Sequence, residues 1–338
     1  MKRIIVVLMS MLLFCSYGLT DEVTKVGTTA AGFLSIDVGA QAVSMGGAYV
    51  AVAEDATAMY WNPSGIARIE NFTTLFHHTK WLADVSLNYM GAVFPVPSVG
   101  SIGIHIKSLT MDDMERTTIS NPDGTGEMFS AGSYAMGISF ARNLTDRFTI
   151  GFNVKYIYEK IYHSTASSIA FDVGTIFNTQ FNGLKIGMSI TNYGQKIRMQ
   201  GKNMLTQVDI DPLVAGNNEN INAYLKTDGF DLPLLFRVGV AMDILKGLAN
   251  SNLILAMDAL HPNNDVESMN IGAEYAFNGM FFIRGGYNTL FAKDSETGVS
   301  FGGGIKYSLG ASSMVFDYAF RDFGILTNVQ MFTVSIQF

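Results

Sequence analysis

The chain has a single cysteine, Cys15, inside an N-terminal apolar run, so the mature protein is expected to carry no thiol. That excludes a disulfide framework, a cysteine-ligated metal and a cysteine nucleophile. Charge is scarce as well: 15% of the 338 residues are Asp, Glu, Lys or Arg, against about 25% in an ordinary soluble domain. The balance is acidic, with 22 Lys and Arg against 29 Asp and Glu for a net charge of −7, and the basic residues form no cluster. No nucleic-acid partner is expected, because neutralising phosphates takes grouped Lys and Arg. Long apolar runs are missing too. Residues 4–14 fall short of the roughly 20 residues of a spanning helix and nothing later approaches that length, so helices do not hold this chain in a membrane.

Catalytic signatures are equally absent. There is no nucleophile elbow, no phosphate loop and no metal-binding His pair, and no cofactor or enzymatic activity is expected. His77 and His78 adjoin on a strand and face opposite sides, so they cannot share a metal. Asp209 and Asp211, with Glu219 nearby, are oxygen ligands that calcium accepts, but the spacing is generic and a solvated acidic loop explains it better.

What is present begins with an export signal. Lys2 and Arg3 precede the apolar run, and Ser16-Tyr17-Gly18 supplies the small residues a signal peptidase reads, which places cleavage near residues 18–20 and a signal peptide over residues 1–20.

From about Phe72 onward the chain alternates with period two, the mark of half-buried strands. In 147–160, Phe148, Ile150, Phe152, Val154, Tyr156 and Tyr158 share one face while Thr149, Gly151, Asn153, Lys155 and Glu159 share the other. Residues 234–244 and 332–338 repeat the pattern. Fourteen such segments are expected, near 71–79, 84–94, 100–110, 131–141, 147–160, 167–178, 184–193, 233–245, 252–260, 267–277, 279–288, 297–308, 313–322 and 329–338. Their lengths suit tilted strands crossing a bilayer, and short connections alternate strictly with longer polar ones at 111–130, 194–232, 261–266, 289–296 and 323–328, as tight periplasmic turns alternate with external loops. The fold class read here is all-β, a transmembrane antiparallel β-barrel of about 14 strands over residues 71–338.

A soluble barrel with an apolar interior is the alternative, but its wetted face should be about a quarter to a third charged. The polar face here is mostly Gly, Ser, Ala, Thr and Asn with about one charge per strand, which suits a crowded lumen. Phe338 closing an alternating last strand resembles the terminal signal of outer-membrane barrels. On this register Lys107, Lys155, Lys185, Arg237, Arg284, Lys306 and Arg321 point inward with Glu159, Asp172, Asp243, Asp258, Glu274 and Asp317. Buried charges need partners, so this near-balanced set reads as internal ion pairs and not as a selectivity ring of one sign.

Residues 32–70 lack the alternation. Asp55 is placed to cap a short helix through Tyr60, Pro63 restricts Asn62 to extended geometry, and Gly46-Gly47 permits close backbone approach. The run Met45-Gly46-Gly47-Ala48-Tyr49, then Glu54-Asp55-Ala56, then Trp61-Asn62-Pro63-Ser64-Gly65-Ile66-Ala67 resembles the N-terminal signature of PorV/PorQ-type proteins, within the wider group of FadL-like barrels named for long-chain fatty-acid transport. The resemblance implies fourteen strands and an N-terminal segment, 21–70, folded into the barrel as a hatch, with Gly46, Gly47, Asn62, Pro63 and Gly65 in the hatch role. The same residues also suit a compact turn that merely packs beneath the barrel.

Two functions stay open at the sequence level. The first is binding or uptake of hydrophobic small molecules through a plugged barrel, with an external apolar capture loop at Leu205, Val208, Ile210, Leu213, Val214, Ile221, Tyr224, Leu225 and Phe230, which serve equally as a packed lid. The second, implied by the PorV resemblance, is a carrier component of type IX protein secretion that docks cargo proteins at the cell surface. Outer-membrane lipids are expected partners on either reading.

Overall fold

The computed structural model describes residues 26–211, 213–214, 216, 220–246, 250–292, 295 and 297–338. The export signal and Cys15 lie outside the described residues. Fourteen long strands form one antiparallel meander: β1 (Thr73–Lys80), β2 (Ser86–Val96), β3 (Gly100–Thr110), β4 (Ala131–Asn143), β5 (Phe148–Ile161), β6 (Ser164–Asn178), β7 (Lys185–Gly194), β8 (Leu235–Asp243), β9 (Ser251–Pro262), β10 (Ser268–Phe277), β11 (Phe281–Leu290), β12 (Val299–Leu309), β13 (Ser312–Asp322) and β14 (Asn328–Gln337). Each pairs with its neighbours in sequence, and β1 pairs with β14 from Thr73↔Gln337 to Lys80↔Gln330, which closes the barrel. Closure removes every sheet edge, the condition for strands to sit in hydrocarbon.

The alternation fixes which way each side chain points. Along β5 the apolar register, including Phe152, Val154 and Tyr156, is exposed, while Gly151, Asn153, Lys155 and Ile157 are buried. The barrel is thus apolar outside and polar within, the reverse of a soluble barrel. Phe72 lies against Phe94 and Phe338, with ring centroids 4.8 and 5.6 Å apart, an aromatic cluster at the end where the strands begin and finish.

Connection lengths depart from strict short–long alternation most plainly at one turn, and the β8–β9 connection 244–250 is also longer than 263–267 on the other side. The β5–β6 turn, on the side of the long loops, is only Tyr162-His163, whereas the opposite turns at 144–147 and 179–184 are longer. The polar residues around 161–166 belong to strands of 14 and 15 residues that carry the hairpin outward, so length is spent in strand rather than loop. Two small hairpins decorate the same side, Met114–Glu115 with Met128–Phe129 and Leu205–Val208 with Ile221–Tyr224.

Residues 30–71 precede β1 and run through the lumen. They form short helical turns, a 3-10 turn Gly32–Ser35, α1 (Ala40–Ser44), α2 (Ala58–Trp61) and a second 3-10 turn Pro63–Arg68. Asp55 does not serve as the N-cap of α2. That position is Thr57, without a side-chain cap, and Asp55 Oδ1 instead accepts from the Thr57 amide at 2.9 Å. Val38, Val43, Met45, Ala48, Met59, Trp61 and Ile66 are fully buried against inward strand residues such as Leu87 and Tyr89.

Candidate functional site

The lumen and the segment that fills it meet through side chains from nearly every strand. At the external end the Ala30 amide donates to the Asp231 carbonyl at 3.0 Å. Lys107 Nζ donates to the Leu34 and Ile36 carbonyls at 3.2 and 2.5 Å. Arg321 pairs with Asp37 at 2.6 Å, and the Ala40 amide donates to Thr333 Oγ1 at 2.9 Å. Deeper, Asp258 Oδ2 accepts from the backbone N–H groups of both Tyr49 and Val50, at 2.8 and 2.9 Å. At the other mouth Glu54 takes Lys185 and Arg68, at 2.5 and 2.6 Å.

The residues given a hatch role by sequence all lie at these contacts. Gly46 adopts φ +65°, and a Cβ there would stand 2.6 Å from the Tyr287 nitrogen in β11, so backbone meets backbone at this point. Its N–H donates to Ser300 Oγ and its carbonyl accepts from Asn288 Nδ2, both at 3.0 Å. Gly47 follows it, also with positive φ. Asn62 is fully buried and uses every polar atom: Nδ2 donates to the Val50 and Thr175 carbonyls at 2.8 and 3.0 Å, and Oδ1 accepts from Ser64 Oγ at 2.6 Å and Ser64 N at 3.3 Å. Pro63 packs against Gly151 and Gly174 of the wall, and a Cβ on Gly65 would fall 1.9 Å from the Ala53 carbonyl oxygen.

The inward charges resolve into four ion-pair groups, the Lys185–Glu54 pair already described among them, and several that bond without an ion pair. Arg284 bridges Glu274 at 2.5 Å and Asp317 at 2.6 Å, Lys155 pairs with Asp172 at 2.9 Å, and Arg321 reaches Asp37. Arg237 lies 4.8 Å over the Trp61 ring, and Lys107 4.5 Å over Tyr60, as cation–π contacts. Glu159 accepts from Ser133 Oγ at 3.2 Å. Two residues leave the set. Asp243 caps the β8–β9 turn, accepting from the Leu245 and Leu253 amides and Asn252 Nδ2, because it sits at the strand end where free N–H groups need an acceptor. Lys306, in β12, forms no ion pair among the described residues. Asp37, Gln41, Ser300, Asn288 and Thr333 were not legible as contacts, since a lone Asp, Gln, Asn, Ser or Thr carries no partner signal until the register across strands is known.

Asp55 lines a cavity of about 280 Å³ at the periplasmic mouth together with Glu54, Arg68 and Gln337. Burial pushes its carboxyl up to about 6, against the lowering effect of its bonds from Thr57. Burial also acts to raise Glu54, but Lys185 and Arg68 outweigh it and hold that carboxyl below its ordinary value. Between the ordinary Asp value of 3.8 and about 6 the folded protein keeps a proton that the unfolded chain has released, so Asp55's contribution to stability falls as pH rises through that window and is level above it. Asp55→Asn is expected to flatten that slope in urea midpoints recorded across the window; an unchanged slope assigns it elsewhere.

The external apolar residues do not converge on one pocket. Ile210 and Leu213 are 71% and 93% exposed, and Leu205, Val208, Val214 and Phe230 are exposed as well; Ile221 is half-buried. Only Tyr224 and Leu225 line the loop cavity. Asp209 and Asp211 form successive turn contacts, accepting from the Asp211 and Leu213 amides at 3.0 and 3.2 Å, Glu219 lies outside the described residues, and no cluster that fits a metal ion occurs among those described. His77 faces inward, bonded to Thr333 and Thr79 hydroxyls at 2.9 Å, and His78 faces outward to Asn88.

A broad apolar concavity lies on the outside. From β14 through β1 to β6 the wall is dented inward over about 850 Å³, lined by outward residues including Phe76, Met90, Ile104, Met136, Ile138 and Tyr156, and its lining reaches Gly91, His105 and Gly137 of the inward register. Glycine makes the dent: Cβ atoms on Gly91 and Gly103 would stand 2.8 and 2.4 Å from the end of Met59 in α2, so the bare backbone lets the wall close on the lumenal segment.

A closed fourteen-stranded barrel, apolar outside and with its N-terminal segment packed in the lumen, defines an outer-membrane protein of FadL-like fold. Solved structures carry the same architecture: the toluene transporter TbuX of Ralstonia pickettii (TM-score 0.52, 14% identity, 88% of this chain and 96% of that one), the CymD monoaromatic hydrocarbon channel (0.54, 11%, 88% and 96%) and a FadL homologue of Pseudomonas aeruginosa (0.52, 10%, 90% and 98%). The family model described as type IX secretion system protein PorV matches residues 19–205, more than half of the chain, and the chain belongs to that family. No curated protein matches.

Proposed function

We propose that this barrel binds hydrophobic small molecules dissolved in the outer membrane and admits them through its dented wall when the lumenal segment shifts. The observation that carries the reading is the 850 Å³ apolar concavity, which opens toward the bilayer and thins the wall to glycine backbone beside Met59. A pocket of this volume and lining suits a small apolar ligand. The likeness to a toluene transporter and a monoaromatic hydrocarbon channel, which shows the fold, agrees with this ligand class. On this reading the segment 21–70 is the hatch, its glycines and Asn62 set its seat, and residues 1–20 direct export.

Ala92→Trp places a large ring in the concavity without adding charge to the lipid face. It is expected to reduce uptake of a radiolabelled monoaromatic hydrocarbon to the level of a deletion strain while the barrel keeps its heat-modifiable migration. Undiminished uptake by a folded variant removes the wall route.

Membership of the PorV family favours a second reading, docking of secretion cargo on the exposed apolar loop around Leu213, Tyr224 and Leu225. A deletion strain that loses surface proteins but takes up hydrocarbons normally supports that reading and overturns the first.

A further inference from the structure

The external cavity beside the β5–β6 hairpin holds about 620 Å³, and its lining combines Arg198, Lys202, Lys226 and His163 with Met204 and Leu225 and contains no carboxylate. That is unexpected in a chain of net charge −7. Among the described residues Arg198, Lys202 and Lys226 enter no ion pair, whereas the nearby Lys196 is neutralised by Asp231 at 3.2 Å and Glu127 is held by Arg116 at 2.7 Å and by the Tyr162 hydroxyl. The cavity is also built. Ile197 and Phe230 exchange backbone bonds at 2.9 and 3.0 Å, the Leu225 amide donates to the Met204 carbonyl at 2.8 Å, and Thr227 Oγ1 donates to the Met199 carbonyl at 2.6 Å.

Its height above the membrane follows from the register. The outward apolar face of β5 ends with Tyr156 and Tyr158, aromatics of the kind that mark the interface, and the next outward pair is Lys160 opposite Thr165, which lines the cavity. Two residues span about 7 Å of strand, and the polar layer of a leaflet is about 5–7 Å deep. The cavity that Thr165 lines therefore stands at the level of the lipid head groups.

We infer that this cavity binds the phosphate of an outer-leaflet lipid, with Arg198, Lys202 and Lys226 on the phosphate and Met204 and Leu225 against the start of its chains. Guanidinium and ammonium groups form charge-assisted bonds to phosphate oxygens, and apolar side chains in the same lining favour a lipid-borne phosphate over a free one.

The test uses the full-length protein in detergent with diphosphorylated lipid A, dephosphorylated lipid A and inorganic phosphate as probes. The phosphorylated lipid is expected to bind tighter than the dephosphorylated one by about tenfold or more, and the triple variant Arg198→Gln, Lys202→Gln, Lys226→Gln to lose that preference while retaining the folded barrel's gel migration. Equal binding of the two lipids by the unaltered protein, or a preference that survives in the triple variant, overturns the site. Displacement of the lipid by inorganic phosphate at millimolar concentration overturns the lipid as its source.

Discussion

Arg284→Met is expected to destabilise the barrel by about 3–5 kcal/mol. The guanidinium sits between Glu274 and Asp317, all three buried, with Gln41 of the lumenal segment donating to the same Glu274 oxygen at 2.9 Å. Methionine fills the volume but leaves two carboxylates facing each other without a cation, and the burden of an uncompensated buried charge exceeds anything lost in packing. The cost resides in the orphaned acids, so adding Glu274→Gln and Asp317→Asn to Arg284→Met is expected to restore most of the stability. Urea unfolding of the three proteins in lipid vesicles measures this; equal stability of the single and triple variants would place the cost in lost packing instead.

Asp258→Leu is the second large effect, and it acts on the lumenal segment rather than the wall. Asp258 is fully buried, and one of its oxygens accepts from two successive backbone amides of the segment. Leucine orphans both N–H groups in a fully buried site, at about 1–3 kcal/mol each. The segment is then expected to leave its seat and the barrel to conduct ions in planar bilayers. Asp258→Asn keeps a carbonyl oxygen for the same amides and is expected to stay closed. Conductance from both variants alike would separate the closed state from this carboxylate.

The wall was legible because alternation has one meaning once a strand is assigned: Phe152, Val154 and Tyr156 had to share a face, and sparse charge on the opposite face said which side met lipid. Loop lengths were less faithful, because β5 and β6 extend as strand where a loop was expected. The seat of the lumenal segment was half legible. Gly46, Asn62 and Gly65 stood out as a motif, yet Ser300, Asn288 and Thr333 are ordinary barrel residues whose contacts exist only after the sheet closes. The inward glycines gave no sign of their purpose either. Gly91, Gly103, Gly151 and Gly174 read as lumen filler, and only the path of Met59 and Pro63 beside them explains the missing side chains. The apolar loop residues illustrate the converse: composition marked them, but which of them line the loop cavity, as Tyr224 and Leu225 do, is set by a loop path that composition does not encode.

Entry of an apolar molecule through the dented wall is tested most directly by crystals of the full-length protein soaked with a brominated monoaromatic hydrocarbon. Anomalous density in the concavity bounded by Phe76, Met90, Met136 and Ile138 is the expected result. Bromine confined to the loop surface around Leu213 and Tyr224, with the concavity empty, contradicts it.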